Sequence, residues 1–107
     1  MAATYKVLGQ SAPSATTATT LLTASSATII STLNAANLGS TQDTIRIAVR
    51  PAGATLANQH YIAYGVPLAA GAVFSMQGGI TLANTDVVTV YTTTGNTVFS
   101  VFGSDGN

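Results

Sequence analysis

A chain of 107 residues with three cations, three anions and no Glu, Cys or Trp is one small domain without disulfides or thiol chemistry. Three cations supply no basic stripe to release counterions from a phosphate backbone, so nucleic acid is not an expected partner. No run approaches the ~18 apolar residues of a membrane-spanning helix, and no apolar segment follows Lys6 as in a signal peptide, so no membrane partner is expected either.

Residues 1–20 are rich in Ala, Ser and Thr and include Pro13. Tyr5-Lys6-Val7-Leu8 reads as one short strand. Residues 9–18 combine turn residues with no period, which predicts a loop or an extended arm. An arm of about 16 residues would reach on the order of 50 Å. Residues 19–23 and 26–33 are short, β-branched and strand-like. Frequent Ala makes a helix over 20–36 the competing reading. The Thr and Ser residues count against it, because they lose side-chain freedom or compete for backbone bonds in helices. Leu38-Gly39-Ser40-Thr41-Gln42 is a polar connection.

Thr44-Ile45-Arg46-Ile47-Ala48-Val49-Arg50 is the clearest strand: Ile45, Ile47 and Val49 point one way, Arg46, Ala48 and Arg50 the other. Pro51-Ala52-Gly53-Ala54 breaks it. Residues 58–64 read as an aromatic-rich strand ended by Gly65 and Pro67, and residues 72–76 and 80–82 as two strands separated by Gly78-Gly79. Asp86-Val87-Val88-Thr89-Val90-Tyr91 is a strong strand. After the turn Thr94-Gly95-Asn96 comes a last strand over 97–102, and residues 103–107 read as a polar tail.

About eight short strands, mostly at the ~8–12-residue spacing of all-β domains, predict an antiparallel β-sandwich or a jelly-roll-like barrel with an extended N-terminal arm. The expected division is an arm or loop with one short strand over 1–20 and a β-sandwich domain over 21–107. Such a chain buries about 65% of its unfolded surface. Two strands are apolar on both faces: Val88 and Val90 oppose Val87 and Tyr91, and Val98 and Phe102 oppose Phe99 and Val101. A small sandwich usually wets its outer face. These strands therefore predict a second cover, either a symmetry mate or the chain's own loops. A surface made polar by hydroxyls and amides is little affected by salt, and its near-zero net charge favours association.

Candidates for chemistry are few. His60 is the single histidine, Asp43, Asp86 and Asp105 the only acids, and no Ser sits in a nucleophile-elbow sequence, so no catalytic residue and no enzyme activity is expected. Asp86 beside Asn84 can be read as part of a calcium site or as a turn residue bonding its own backbone, and the turn reading is favoured. Neither Gly71 nor Gly78-Gly79 is followed by the Lys of a phosphate loop, and neither a metal nor a cofactor is expected. Tyr61, Tyr64 and Tyr91 form cross-strand pairs or an aromatic platform for a sugar. Arg46 and Arg50 share a strand face, four residues apart, either to bond across an interface or to blunt a solvent-facing edge. Tyr5, Lys6, Arg46, Arg50, Tyr61 and Tyr64 are the interface candidates.

Lys6-Val7-Leu8-Gly9-Gln10-Ser11-Ala12-Pro13, Ile45-Arg46-Ile47-Ala48-Val49-Arg50-Pro51-Ala52-Gly53-Ala54 and Asn58-Gln59-His60-Tyr61-Ile62-Ala63-Tyr64 together resemble short virion proteins of tailed bacteriophages. Asp86-Val87-Val88-Thr89-Val90-Tyr91 and Phe102-Gly103-Ser104 continue the resemblance, which covers nearly the whole chain. Members often carry a Leu-Tyr-Thr-Val-Pro-like stretch where this chain has Leu21-Leu22-Thr23-Ala24-Ser25, so a contact made by that Tyr and Pro is not carried over. The resemblance implies a non-enzymatic structural protein and supplies no functional residues. The reading it leads to is a capsid decoration (cement) protein. It would be a homotrimer, assembled in the host cytoplasm and bound to the major capsid protein on the outer surface of the head. The alternatives are a tail, collar or fibre component, or a host-glycan binding module using the tyrosines.

Overall fold

The computed structural model describes residues 4–105. Residues 1–3 of the expected arm and 106–107 of the expected tail lie outside the described residues. Eight strands form in chain order: β1 Thr4–Ser11, β2 Thr19–Thr23, β3 Thr28–Asn37, β4 Asp43–Arg50, β5 Tyr61–Leu68, β6 Val73–Leu82, β7 Val87–Thr92 and β8 Thr97–Asp105. Short 3-10 turns at Pro51–Gly53 and Asn58–His60 connect β4 to β5. No helix among the described residues is long and apolar enough to cross a membrane.

The strands make two four-stranded sheets, ordered β1-β8-β3-β6 and β2-β7-β4-β5, with every pairing antiparallel. Only β4 and β5 are neighbours both in sequence and in a sheet; every other connection crosses between sheets. This is the strand order of a jelly roll built from two Greek keys. Leu33, Ala35, Phe99 and Val101 from the first sheet face Ile45, Ile47, Val88 and Val90 from the second across an apolar core. The alternation in 44–50 thus holds for Ile45 and Ile47, which are fully buried. A helix over 20–36 does not form, because β3 uses its β-branched and Thr residues in two ladders at once, against β6 and β8.

A polar plug closes one end of the sandwich. The buried Asn37 side chain donates to the carbonyls of Thr41 at 2.9 Å, Leu68 at 3.0 Å and Ala69 at 3.3 Å, and accepts from Gly39 N–H at 2.9 Å. Beside it the buried Asp43 carboxylate accepts from the N–H groups of Thr44, Thr93 and Thr94 at 2.7, 3.1 and 3.0 Å, and from the hydroxyls of Thr92 and Thr97. Burial alone would raise the Asp43 pKa. The donors outweigh it and hold the group near 2, below its ordinary 3.8.

The structure corrects the sequence reading at several places. The short strand expected at 5–8 forms, but it runs on through residues 9–11 of the expected loop or arm: β1 pairs along β8 from Thr4↔Asp105 to Ser11↔Phe99. The following loop is tied down by Thr16 N–H donating to Thr92 O at 2.9 Å, and Pro13 is buried. The period is lost at Gly9 because β1 is an edge strand with a register shift between Val7 and Gly9. A Cβ there would lie 2.5 Å from Leu21 O, so glycine permits the approach of β1 to β2. Gly78-Gly79 does not divide two strands, since β6 runs through it opposite the register shift between Ile30 and Thr32 in β3. Residues 58–60 are a 3-10 turn, and β5 continues through Gly65 and Pro67 as an edge strand, where proline is tolerated. Residues 103–105 belong to β8.

The apolar outer face of β7 is covered by its own chain. Val87 and Thr89 are buried; the turn at Pro51–Gly53 packs near Val87, and Arg50 Nε donates to Thr89 Oγ1 at 3.0 Å. Of the two covers predicted for this strand, the chain's own loop is present over Val87 and Thr89.

The ladder also sets an expected order of proteolysis. Trypsin has Lys6, Arg46 and Arg50 to act on. Lys6 lies in an edge strand near the terminus, Arg46 in a strand paired on both sides, and Arg50 precedes Pro51. Limited digestion followed by mass spectrometry should therefore show cleavage after Lys6 first. Cleavage after Arg46 ahead of Lys6 would mean that β4 opens before β1.

Candidate functional site

The charged side chains show what surface is left for binding. Lys6 pairs with Asp105 at 3.1 Å. Asp43 is buried in the plug. Asp86 accepts from Ala52 N–H and Ala83 N–H, each at 2.9 Å, and these bonds hold its carboxyl below the ordinary range. It joins the turn after β4 to the turn before β7, as the turn reading of this residue expects. Arg50 donates to Thr89 and, through Nη1, to Ala54 O at 3.0 Å. His60 is buried, with Nδ1 accepting from Ala57 N–H at 3.0 Å, which closes the Asn58–His60 turn. Among the described residues no group of three or more His, Cys, Asp or Glu converges to hold a metal ion.

Arg46 differs from all of these. It projects from the outer face of β4, directly opposite Tyr64 on β5 and Tyr91 on β7. Its guanidinium carbon lies 4.4 Å from the centre of the Tyr64 ring and 4.3 Å from that of Tyr91. Cation–π contacts of this kind contribute about 0.5–2 kcal/mol each, most where water is excluded. The Arg46 side chain makes no hydrogen bond or ion pair with any described residue, and its Nε is buried without an acceptor. Tyr61 meets Tyr64 edge-on, with ring centres 4.9 Å apart. A shallow depression of about 320 Å³ lined by Asn58, Tyr61 and Tyr64 adjoins the stack.

The outer face of the first sheet is different in kind. Residues there, opposite in alternation to the core-facing set, include the half-buried Phe102, flanked by Val7 and Thr32, and the exposed Ile29 and Val73. An amide and hydroxyl row, Gln10, Ser100, Asn34 and Ser75, crosses all four strands in register. Gln10 Nε2 donates to Ser100 Oγ at 3.4 Å, and Ser75 Oγ to Asn34 Oδ1. Among the described residues this face carries no charged side chain.

Of the six interface candidates, Arg46, Tyr61 and Tyr64 come together on the second sheet. Arg50 lies on the same face but is bonded into the loop after β4, and Tyr5 and Lys6 lie on β1 in the other sheet. Tyr5 is 83% exposed, whereas Lys6 is held by Asp105. Tyr91 completes the arginine stack and is missing from the sequence-derived interface set. Its outward position follows from the alternation of β7, but its place beside Arg46 follows only from the β4–β7 register. No family model, no curated protein and no solved structure matches this chain.

Proposed function

We propose that this chain is a non-enzymatic structural protein of a tailed-phage virion, a decoration protein that sits on the outside of the head against the major capsid protein and stabilises the shell. The observation that carries the reading is the uncharged outer face of the first sheet. Among the described residues every charged side chain except Arg46 is bonded inside the domain, which leaves Val7, Ile29, Val73 and Phe102 with an amide and hydroxyl row as recognition surface. Such a surface suits permanent lattice contacts, where apolar burial of about 25 cal/mol per Å² supplies the driving force. The resemblance to short virion proteins points the same way and adds self-association as a homotrimer. Jelly rolls also host lectin and cupin functions, so the fold alone decides nothing.

The test is binding of the purified protein to heads lacking it, with copy number read from a stained gel of the virion. Hundreds of copies on the head, and occupancy falling less than about tenfold between low and high salt, are expected, because exposed ion pairs contribute only ~0–1 kcal/mol each. A few copies, or signal on tails alone, would move the protein to the tail. Loss of the protein at moderate salt would show that charge dominates. Native mass spectrometry tests the trimer directly; a monomer of 10.7 kDa would remove it.

A further inference from the structure

We propose that Arg46 is a docking anchor for a carboxylate, an Asp or Glu side chain of a neighbouring protein subunit that meets this domain on the outer face of the second sheet, opposite the uncharged face; the proposal rests on the assembly reading above. The guanidinium carbon lies over the Tyr64 ring at 4.4 Å and over the Tyr91 ring at 4.3 Å. The N–H donors of a guanidinium point outward in its own plane, along its edge. A planar group with two oxygens matches that fork, which a compact ammonium in place of the guanidinium would not present. None of the protein's own acids serves: Asp43, Asp86 and Asp105 are bonded elsewhere. Nε is buried and unpaired, an unmet donor of a kind rare in native structures, so the hydrogen-bonding capacity of this side chain is not filled within the domain.

The charge count selects the acceptor. Arg46 is the single uncommitted cation on this face, since Arg50 is bonded to Thr89 and Ala54. One cation matches one carboxylate, whereas a phosphate or a polyanion calls for several. The neighbourhood selects a protein as its source. Tyr and Arg are the residue types that dominate binding energy at protein interfaces, in patches ringed by contacts that exclude water. Tyr64 is 62% exposed beside the cation, so aromatic surface is present to be covered when the acid arrives.

The chain has two arginines, so its Arg Nε–Hε spectrum holds two signals. On titration with a short peptide containing Asp and Glu at millimolar concentration, the Arg46 signal should shift and the Arg50 signal stay, while the Asn/Gln version of the peptide does nothing. No shift of Arg46, or a larger response to glucuronate or to inorganic phosphate, would overturn the protein carboxylate. On heads, Arg46→Gln should lower retained protein about tenfold or more, and Arg46→Lys should not restore it, because the planar stack is lost. The folded state of both variants is checked by circular dichroism. Wild-type binding with undiminished Arg46→Gln binding would sink the anchor. Wild-type protein that never binds heads would sink the assembly reading instead, and the peptide titration would still decide Arg46.

Discussion

Asp43→Ala should leave a chain that does not fold stably at 25 °C, and Asp43→Asn should lower the unfolding free energy by about 2–4 kcal/mol. The carboxylate receives five donors from β4, from the end of β7, from the β7–β8 turn and from the start of β8. Alanine strands all of them in a closed polar plug, where each unmet donor costs about 1–3 kcal/mol, against a total stability of only ~5–15 kcal/mol for a domain. Asparagine keeps one oxygen and presents an amide donor to groups that already donate. Thr97→Val, which removes one donor and leaves the carboxylate four, should cost only about 1 kcal/mol. Denaturant midpoints for the three variants give the order. An Asp43→Asn protein as stable as wild type would mean that the two hydroxyls simply turn to accept from the amide.

The same group sets the acid limit. In the unfolded chain Asp43 titrates near its ordinary 3.8; in the fold its pKa is held at about 2. A carboxyl with a depressed folded pKa contributes stability that is fully present above 3.8 and is lost as pH falls from there through about 2. The difference corresponds to about 2 kcal/mol. Asp86, also lowered by backbone N–H donors, acts in the same direction. Stability should therefore be flat through pH 5 and fall steeply below 4, and Asp43→Asn should flatten most of that fall.

What the sequence disclosed and what it hid have separate physical origins. Strands β4 and β7 were legible because Ile45, Ile47, Val88 and Val90 alternate cleanly toward one core. The sheet class followed from strand spacing and turn chemistry. The strand order did not, since seven residues of β1 pair with β8 about ninety positions away and no local pattern records that. Glycine misled most. Gly9, Gly78-Gly79 and Gly103 look like breakers, yet each lies inside a strand, where a bulge or a close backbone approach needs it. The uncommitted arginine was half legible: alternation put Arg46, Tyr64 and Tyr91 on outer faces, but only the pairing Tyr64↔Arg46↔Tyr91 turns three side chains into one stack.

Gly103→Ala is expected to be the most damaging glycine-to-alanine change among the described residues, at about 3 kcal/mol or more, the upper end of overpacking costs. A Cβ on Gly103 would lie 2.0 Å from the Ile29 carbonyl oxygen and 3.0 Å from both Ile29 C and Ile30 Cα. These are backbone atoms of β3, so no side chain can rotate away. The strands themselves must part, and β8 is held between β1 and β3. Gly71→Ala is the contrast. Its Cβ would meet nothing within 4 Å, and its positive φ of 73° alone should cost about 1 kcal/mol. Urea unfolding with unchanged slope should place the Gly103→Ala midpoint well below that of Gly71→Ala. Equal midpoints would mean that β3 and β8 separate easily near Ile29. The strain also bears on function, because Phe102, adjacent to Gly103, sits at the centre of the uncharged outer face between Val7 and Thr32. A chain that folds despite Gly103→Ala must carry that face displaced. Its retention on heads should then fall even where its circular dichroism spectrum is native, whereas Gly71→Ala should bind as wild type does.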